Sequence, residues 1–169
     1  LQALAAASRQ LNRAALAHLK IDSGMGRFGQ PAREIERHAH AWIAPRVEWR
    51  GVFTHFAVSD TDSPEDRDYT RGQLQAFLRA AGAFRRALPP GAPAPMLHAC
   101  NSGGILQHPE AFLDAVRPGV MLYGHLPDPT CERSVALLPA MTFETRIAAL
   151  RDHPEGASLS YGRTYRCPS

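Results

Sequence analysis

The sequence predicts an α/β fold in which parallel strands alternate with helical crossovers, followed by the start of an antiparallel β segment. Three observations predict it. Short apolar or β-branched runs are each followed by turn-rich polar residues and then a helical pattern. The long helical stretch after residue 63 opens with a full set of start signals. After Leu126 the pattern changes to period-two alternation. The 169 residues are enough for one ordinary domain, or one domain plus part of another.

Leu1 to about Ala15 reads as a helix, with Leu1, Leu4 and Leu11 on a similar face. Ala17 to Ile21 is a short apolar strand, and Asp22-Ser23-Gly24-Met25-Gly26 a polar loop. Pro31 suits a first helical position, with helix from Ala32 to about Ala44. Val47 to Phe56 is a second strand, β-branched and aromatic. Ser63-Pro64-Glu65-Asp66 combines a capping serine, a proline at the first position and acids in the first turn. The helix it starts runs to about Leu88, with Leu74, Phe77, Leu78, Ala81 and Phe84 as its apolar stripe, and Pro89-Pro90-Gly91 stops it. Met96 to Cys100 is a third strand, followed by the turn Asn101-Ser102-Gly103-Gly104; Pro109 to Val116 is a short helix and Gly119 to Tyr123 a fourth strand. These elements delimit a first unit at 1–126, a linker at 127–138 marked by Pro127-Asp128-Pro129, and a β unit at 139–169. In that last unit Met141 to Leu150 alternates and Leu159 to Tyr165 reads as a returning strand, too few strands to bury a core.

The composition excludes several classes. With 44% hydrophobic and 21% charged residues the chain is not disordered. The net charge of +3 is spread out, so neither nucleic acid nor a membrane surface is an expected partner. No apolar run approaches the roughly 20 residues needed to span a bilayer. Three widely spaced cysteines, Cys100, Cys131 and Cys167, fit reduced thiols in a cytoplasm better than a disulfide framework. Neither they nor the eight histidines match a zinc spacing, so no metal is expected, and His38 and His40 read as surface residues. Lys20 is the only lysine, hence the only residue of this chain able to form a Schiff base.

In a βα barrel the functional groups lie at the carboxyl ends of the strands. The polar clusters fall at such ends: Lys20 with Asp22 and Arg27; His55; His98 with Asn101 and Ser102; and Arg117 with Gly119. The Asn101–Gly104 turn could cradle a phosphate with its N–H groups and the serine hydroxyl, helped by a following helix, or be an ordinary turn with a helix cap. Arg117 only donates hydrogen bonds, so at a barrel mouth it needs an acceptor; a carboxylate is the simplest candidate. His55, beside Phe53 and Phe56, is either a core histidine or one that stacks on a planar ligand. Lys20 and Asp22 share a face of their strand, which allows an ion pair.

His18-Leu19-Lys20-Ile21-Asp22-Ser23-Gly24-Met25-Gly26-Arg27-Phe28-Gly29 resembles the signature of the alanine racemase family, fold-type III pyridoxal-phosphate enzymes, with serine where threonine is usual. Gly51-Val52-Phe53-Thr54-His55-Phe56-Ala57 with Asp60, His98-Ala99-Cys100-Asn101-Ser102, and Arg117-Pro118-Gly119-Val120-Met121-Leu122-Tyr123-Gly124 resemble its next blocks. Pro139-Ala140-Met141 and Ser160-Tyr161-Gly162-Arg163-Thr164-Tyr165 resemble the opening of its C-terminal β domain. Six blocks in family order are far more specific than any one.

The resemblance implies the last four strands of a TIM (β/α)8 barrel, followed by the beginning of the β domain. It implies pyridoxal phosphate as cofactor, alanine as substrate, a homodimer, and a cytoplasmic role in supplying D-alanine to the cell wall. Arg27 would hydrogen-bond the cofactor's phenolic oxygen, and His55 would stack beside its ring. Ser102, in the Asn101 turn and near the Gly119 and Val120 backbone, would hold the phosphate. Arg117 would donate to the pyridine nitrogen, with His98 as its neighbour, donating or accepting. A cation there leaves the ring nitrogen unprotonated and the cofactor a weaker electron sink. Lys20 would be the family's carbamylated lysine, an anionic partner for Arg27, not the Schiff-base lysine.

The family's two catalytic bases are expected elsewhere, and no catalytic residue is assigned within the chain. A Lys-Ala-Asn-Ala-Tyr-Gly block is not among these 169 residues, nor is a Gly-Tyr-Ala-Asp-Gly block. Tyr161 and Tyr165 belong to an earlier block. The chain alone is therefore expected to be inactive, and half a barrel is expected to be marginally stable. A racemase for another amino acid such as serine, and a non-catalytic cofactor-binding module, are the alternative readings.

Overall fold

The computed structural model describes residues 1–131 and 135–168. Residues 132–134, part of the expected linker, lie outside the described residues.

The first helix, α1 (Gln2–Gln10), leads into the strand β1 (Ala15–Asp22). A two-residue strand β2 (Gln30–Pro31) precedes α2 (Ala32–His38), which tightens into a 3-10 turn over Ala39–Trp42. Pro31 caps α2 from outside rather than opening it. The strand β3 (Val47–Phe53) is followed by α3 (Pro64–Ala87) and β4 (Met96–His98). At the start of α3 the Ser63 hydroxyl accepts from the Asp66 N–H, as its capping pattern predicts. The sheet order is β2-β1-β3-β4, parallel throughout. One face is the core: Leu19, Ile21, Val52 and Leu97 are buried with Phe77, Ala80, Ala81 and Phe84 of α3 and Ile35 of α2. Alternation along the strands turns Lys20, Phe53 and His98 to the opposite face. The register aligns Lys20 with Phe53 and Phe53 with His98, one row across three strands.

Several expected elements differ. The Asn101–Gly104 segment is the start of a helix, α4 (Ser102–Gln107), not a plain turn. Asn101 is its cap, accepting from the Gly104 N–H. Helix between Pro109 and Val116 is reduced to a 3-10 turn over Pro109–Ala111. The expected strand Gly119–Tyr123 is a 3-10 turn over Val120–Tyr123. Pairing with β4 instead falls earlier: Asp114 N–H donates to the Leu97 carbonyl, Arg117 N–H to that of Cys100, and Ala115 bridges His98 in parallel. Pro118 has no N–H with which to continue the ladder, so pairing ends before the apolar run begins.

The predicted strand Met141–Leu150 forms neither helix nor strand. An alternating pattern becomes a strand only beside a partner, and among the described residues none pairs with it. The predicted strand Leu159–Tyr165 is a short antiparallel pair, β5 (Ser158–Leu159) and β6 (Tyr165–Arg166), around a 3-10 turn. Cys100 and Cys167 are free thiols, and His38 and His40 are exposed. Among the described residues no helix is long and apolar enough to cross a membrane.

Candidate functional site

The row Lys20–Phe53–His98 lies near the carboxyl ends of β1, β3 and β4, and Arg117 closes one end of it. Arg117 meets no carboxylate within ion-pair distance among the described residues. Its guanidinium donates to the Thr54 carbonyl (2.6 Å), the Ala99 carbonyl (3.0 Å) and His98 Nδ1 (2.7 Å). It also sits 5.3 Å above the Phe53 ring, which stacks on His98 at 4.9 Å. Burial pulls the guanidinium below its ordinary value, yet an arginine remains charged at accessible pH.

Because arginine can only donate, His98 Nδ1 must be the acceptor, and the His98 proton sits on Nε2. That nitrogen lies 3.0 Å from His18 Nδ1, which therefore accepts. A directed chain results, Arg117 to His98 to His18. Burial, then the Arg117 charge, then His18 push His98 down to about 4, so it is neutral at pH 7.

Ser102 is buried at the start of α4. The N–H groups of Gly119 (2.9 Å) and Met121 (3.4 Å) converge on its Oγ. The second of these bonds falls to Met121, and Val120 lies between the two donors. Asn101 is committed to the fold: its amide accepts from Gly104 and Ser59 and donates to the Phe56 carbonyl. Gly103 packs so closely that a Cβ there would lie 2.7 Å from the Ser59 carbonyl oxygen. Asn101 and Gly103 together lock α4 against the loop after β3.

Lys20 donates to the Phe28 carbonyl and forms no ion pair with Asp22 within 4.0 Å. Burial lowers its ammonium below the usual range; Asp22 works against that shift, and Arg27 and Arg117 add to it. Burial alone would raise the Asp22 carboxyl, but hydrogen bonds from the Gly24, Gly26 and Met25 N–H groups, with Lys20, hold it below its ordinary range. Asp22 thereby folds the loop that carries Arg27, which is exposed. His55 is half-buried; burial first, then Arg117, Arg27 and Lys20, lower its imidazole. Arg27, His55, Lys20 and Arg117 thus share one field, and it is positive.

That charge balance suits an anionic ligand. The residues present fit a phosphorylated, planar cofactor: a hydroxyl with two convergent N–H groups, a fixed arginine and two neutral histidines. The Thr54 carbonyl and Met121 join the cluster without any signal in the sequence, as does His18 apart from its spacing; their roles come from register and backbone. His18 alone could be suspected, standing two residues before Lys20 and so on its face. Cys100, pushed up to about 12 by burial, is an inert packing thiol.

Parallel strands with helices on one face, and a polar row at the strands' carboxyl ends, define a βα-barrel type of protein. The comparisons with known proteins give the family. Residues 1–127 match the family described as alanine racemase, N-terminal domain, and the chain belongs to that family. It is 41% identical over 171 residues to an alanine racemase of Symbiobacterium thermophilum, covering 97% of this chain and 42% of that protein. It is 36% identical over 160 residues to that of Treponema denticola, covering 94% and 41%. The solved alanine racemase of D-cycloserine-producing Streptomyces lavendulae superposes with a TM-score of 0.83 at 31% identity, over 99% of this chain and 44% of that one. The chain thus spans about two fifths of the curated relatives it matches. The four-stranded parallel sheet and the small antiparallel pair correspond to part of the barrel and the opening of the β domain.

Proposed function

We propose that this chain forms the cofactor-holding part of an alanine racemase, acting in the cytoplasm as a homodimer and interconverting L- and D-alanine with pyridoxal phosphate. The observation that carries the reading is a Ser102 Oγ on which the Gly119 and Met121 N–H groups converge, together with an Arg117 guanidinium fixed by His98, Thr54 and Ala99 in a net-positive cluster. A covalently bound pyridoxal phosphate is named for the solved alanine racemase of Bartonella henselae, which shares the fold at 22% identity and a TM-score of 0.72.

When bound, the cofactor supplies an electron sink that acidifies the substrate's α-carbon. The chain's own residues bind and orient it. Ser102 and the backbone N–H groups of Gly119 and its neighbours, Val120 and Met121, hold the phosphate. Arg117, kept in place by Thr54, Ala99 and His98, presents a donor that cannot give up its proton to the ring nitrogen. His55 would flank the ring and Arg27 would meet the phenolic oxygen. Asn101 acts at one remove, by fixing Ser102. Lys20, its ammonium disfavoured by burial, is suited to carbamylation; the product would be an anion facing Arg27. The unit boundaries after residues 126 and 138 follow the same reading.

The test is titration of the purified chain with pyridoxal phosphate, followed by borohydride reduction and peptide mass analysis. Saturable binding that is lost in Arg117→Met and Ser102→Ala, with no adduct on Lys20, is expected. Binding indifferent to both changes, or a reduced adduct on Lys20, overturns the assignment. Labelled bicarbonate should give a carbamate carbon signal that disappears in Lys20→Arg.

A further inference from the structure

Two loops carry two of the site residues, residues 23–29 with Arg27 and residues 54–60 with His55. They leave neighbouring strands, β1 and β3, beyond the last paired residues of those two strands. Both are gripped by one face of α3. Tyr69 and Gln73 stand four residues apart, one above the other on that helix. The Tyr69 hydroxyl donates to the Gly24 carbonyl at 2.8 Å. The Gln73 amide oxygen accepts from the Ala57 N–H at 3.0 Å, and its nitrogen donates to the His55 carbonyl at 3.4 Å.

Gln73 is only 3% exposed, so these bonds are made away from water. It also lies close beside the other loop. At Gly24, where φ is +143°, an added Cβ would lie 2.8 Å from the Tyr69 oxygen and 3.2 Å from both Cγ and Nε2 of Gln73. A direct bond between Ser23 Oγ and Thr54 Oγ1 (2.7 Å) closes the ring of contacts. The support is rigid, because Leu74, Phe77, Ala81 and Phe84 bury the same helix in the core. The residue type matters: an amide both accepts from Ala57 and donates to His55, which neither a carboxylate nor a thioether does.

We propose that Tyr69 and Gln73 together are positioning residues that clamp the Arg27 loop to the His55 loop, so that the two order and loosen together. Asp22 shapes the first loop and Asn101 braces the second, but α3 is where they meet. Coupling of this kind is reciprocal: disturbing either loop weakens the other. Its value to cofactor binding rests on the function proposed above; the coupling itself does not.

Fast amide-exchange NMR on the 169-residue chain, with no cofactor added, tests it. In Gln73→Met the Ala57 amide should exchange about tenfold faster, and the Gly24 and Gly26 amides, bonded to Asp22 rather than to Gln73, should accelerate with it. Tyr69→Phe should in turn accelerate Ala57. Gln73→Glu, which keeps the acceptor but cannot donate to His55, should fall between. Acceleration confined to Ala57 in Gln73→Met, with Ala57 unmoved in Tyr69→Phe, overturns the clamp; should Gln73→Met not fold, the Tyr69→Phe result decides alone. Pyridoxal phosphate titration of the same proteins is read separately: coupled amides without cofactor binding would sink the cofactor assignment and leave the clamp standing.

Discussion

The His98 environment makes stability depend on pH in a window set by one imidazole. Its ordinary value is 6.5 and the folded chain holds it at about 4. Between those values the unfolded chain binds a proton that the folded chain refuses, so stability rises with pH across the window. It is fully present above pH 6.5 and is lost as pH falls toward 4. At roughly 1.4 kcal/mol per unit the full shift is worth about 3 kcal/mol, a large share of the ~5–15 kcal/mol typical of a folded domain. His98 is 7% exposed, so solvent screening removes little of this. His55 is displaced in the same direction and shares the window, whereas Asp22 and Asp66 are held below their ordinary 3.8 and act beneath it. The comparison is therefore made against His98→Asn, whose amide oxygen still accepts from Arg117 but does not titrate. Urea unfolding from neutral pH down to about pH 4 should show the native chain losing about 3 kcal/mol more than the variant. Equal pH slopes would refute the buried, arginine-bound imidazole on which the Arg117 geometry depends.

Other changes test the supports around the site. Gly103→Ala drives a Cβ to 2.7 Å from the Ser59 carbonyl and 2.8 Å from the Asp60 nitrogen, both backbone; a loss of about 1–3 kcal/mol in denaturation is expected, and an unchanged midpoint would contradict the packing of α4. Ser102→Ala strips the Gly119 and Met121 N–H groups of their shared acceptor; stability should fall by about 1 kcal/mol, and phosphate-induced shifts of the Gly119 amide should disappear. Ser63→Ala removes the cap of α3 and should cost about 1 kcal/mol in urea unfolding without altering those phosphate shifts.

Much of the fold is legible locally. The Ser63-Pro64-Glu65-Asp66 start, the α3 stripe and the β-branched runs each declare their structure because the physics that forms them acts within a few residues. The positions of Lys20, His98 and Ser102 near strand ends follow from that order. Contacts between distant segments are not legible in the same way. Arg117 looks like half of an ion pair, yet its acceptors are two carbonyls and an imidazole supplied by two separate segments, after β3 and at the end of β4. The Asn101 turn is read from the sequence as a phosphate cradle or a helix cap, and the structure shows the cap. Met141 to Leu150 has the pattern of a strand, but among the described residues none pairs with it, and period alone does not create a partner.

The sequence by itself determined the parallel α/β order, the core face and which polar residues crowd one end of the strands, since periodicity and turn chemistry are local properties of the chain. Only the tertiary structure decided the direction of the Arg117–His98–His18 chain, the pairing of Gly119 and Met121 on Ser102, and the grip of Tyr69 and Gln73 on two loops. Those depend on strand register and on backbone groups that every residue carries alike, so no residue type announces them in advance.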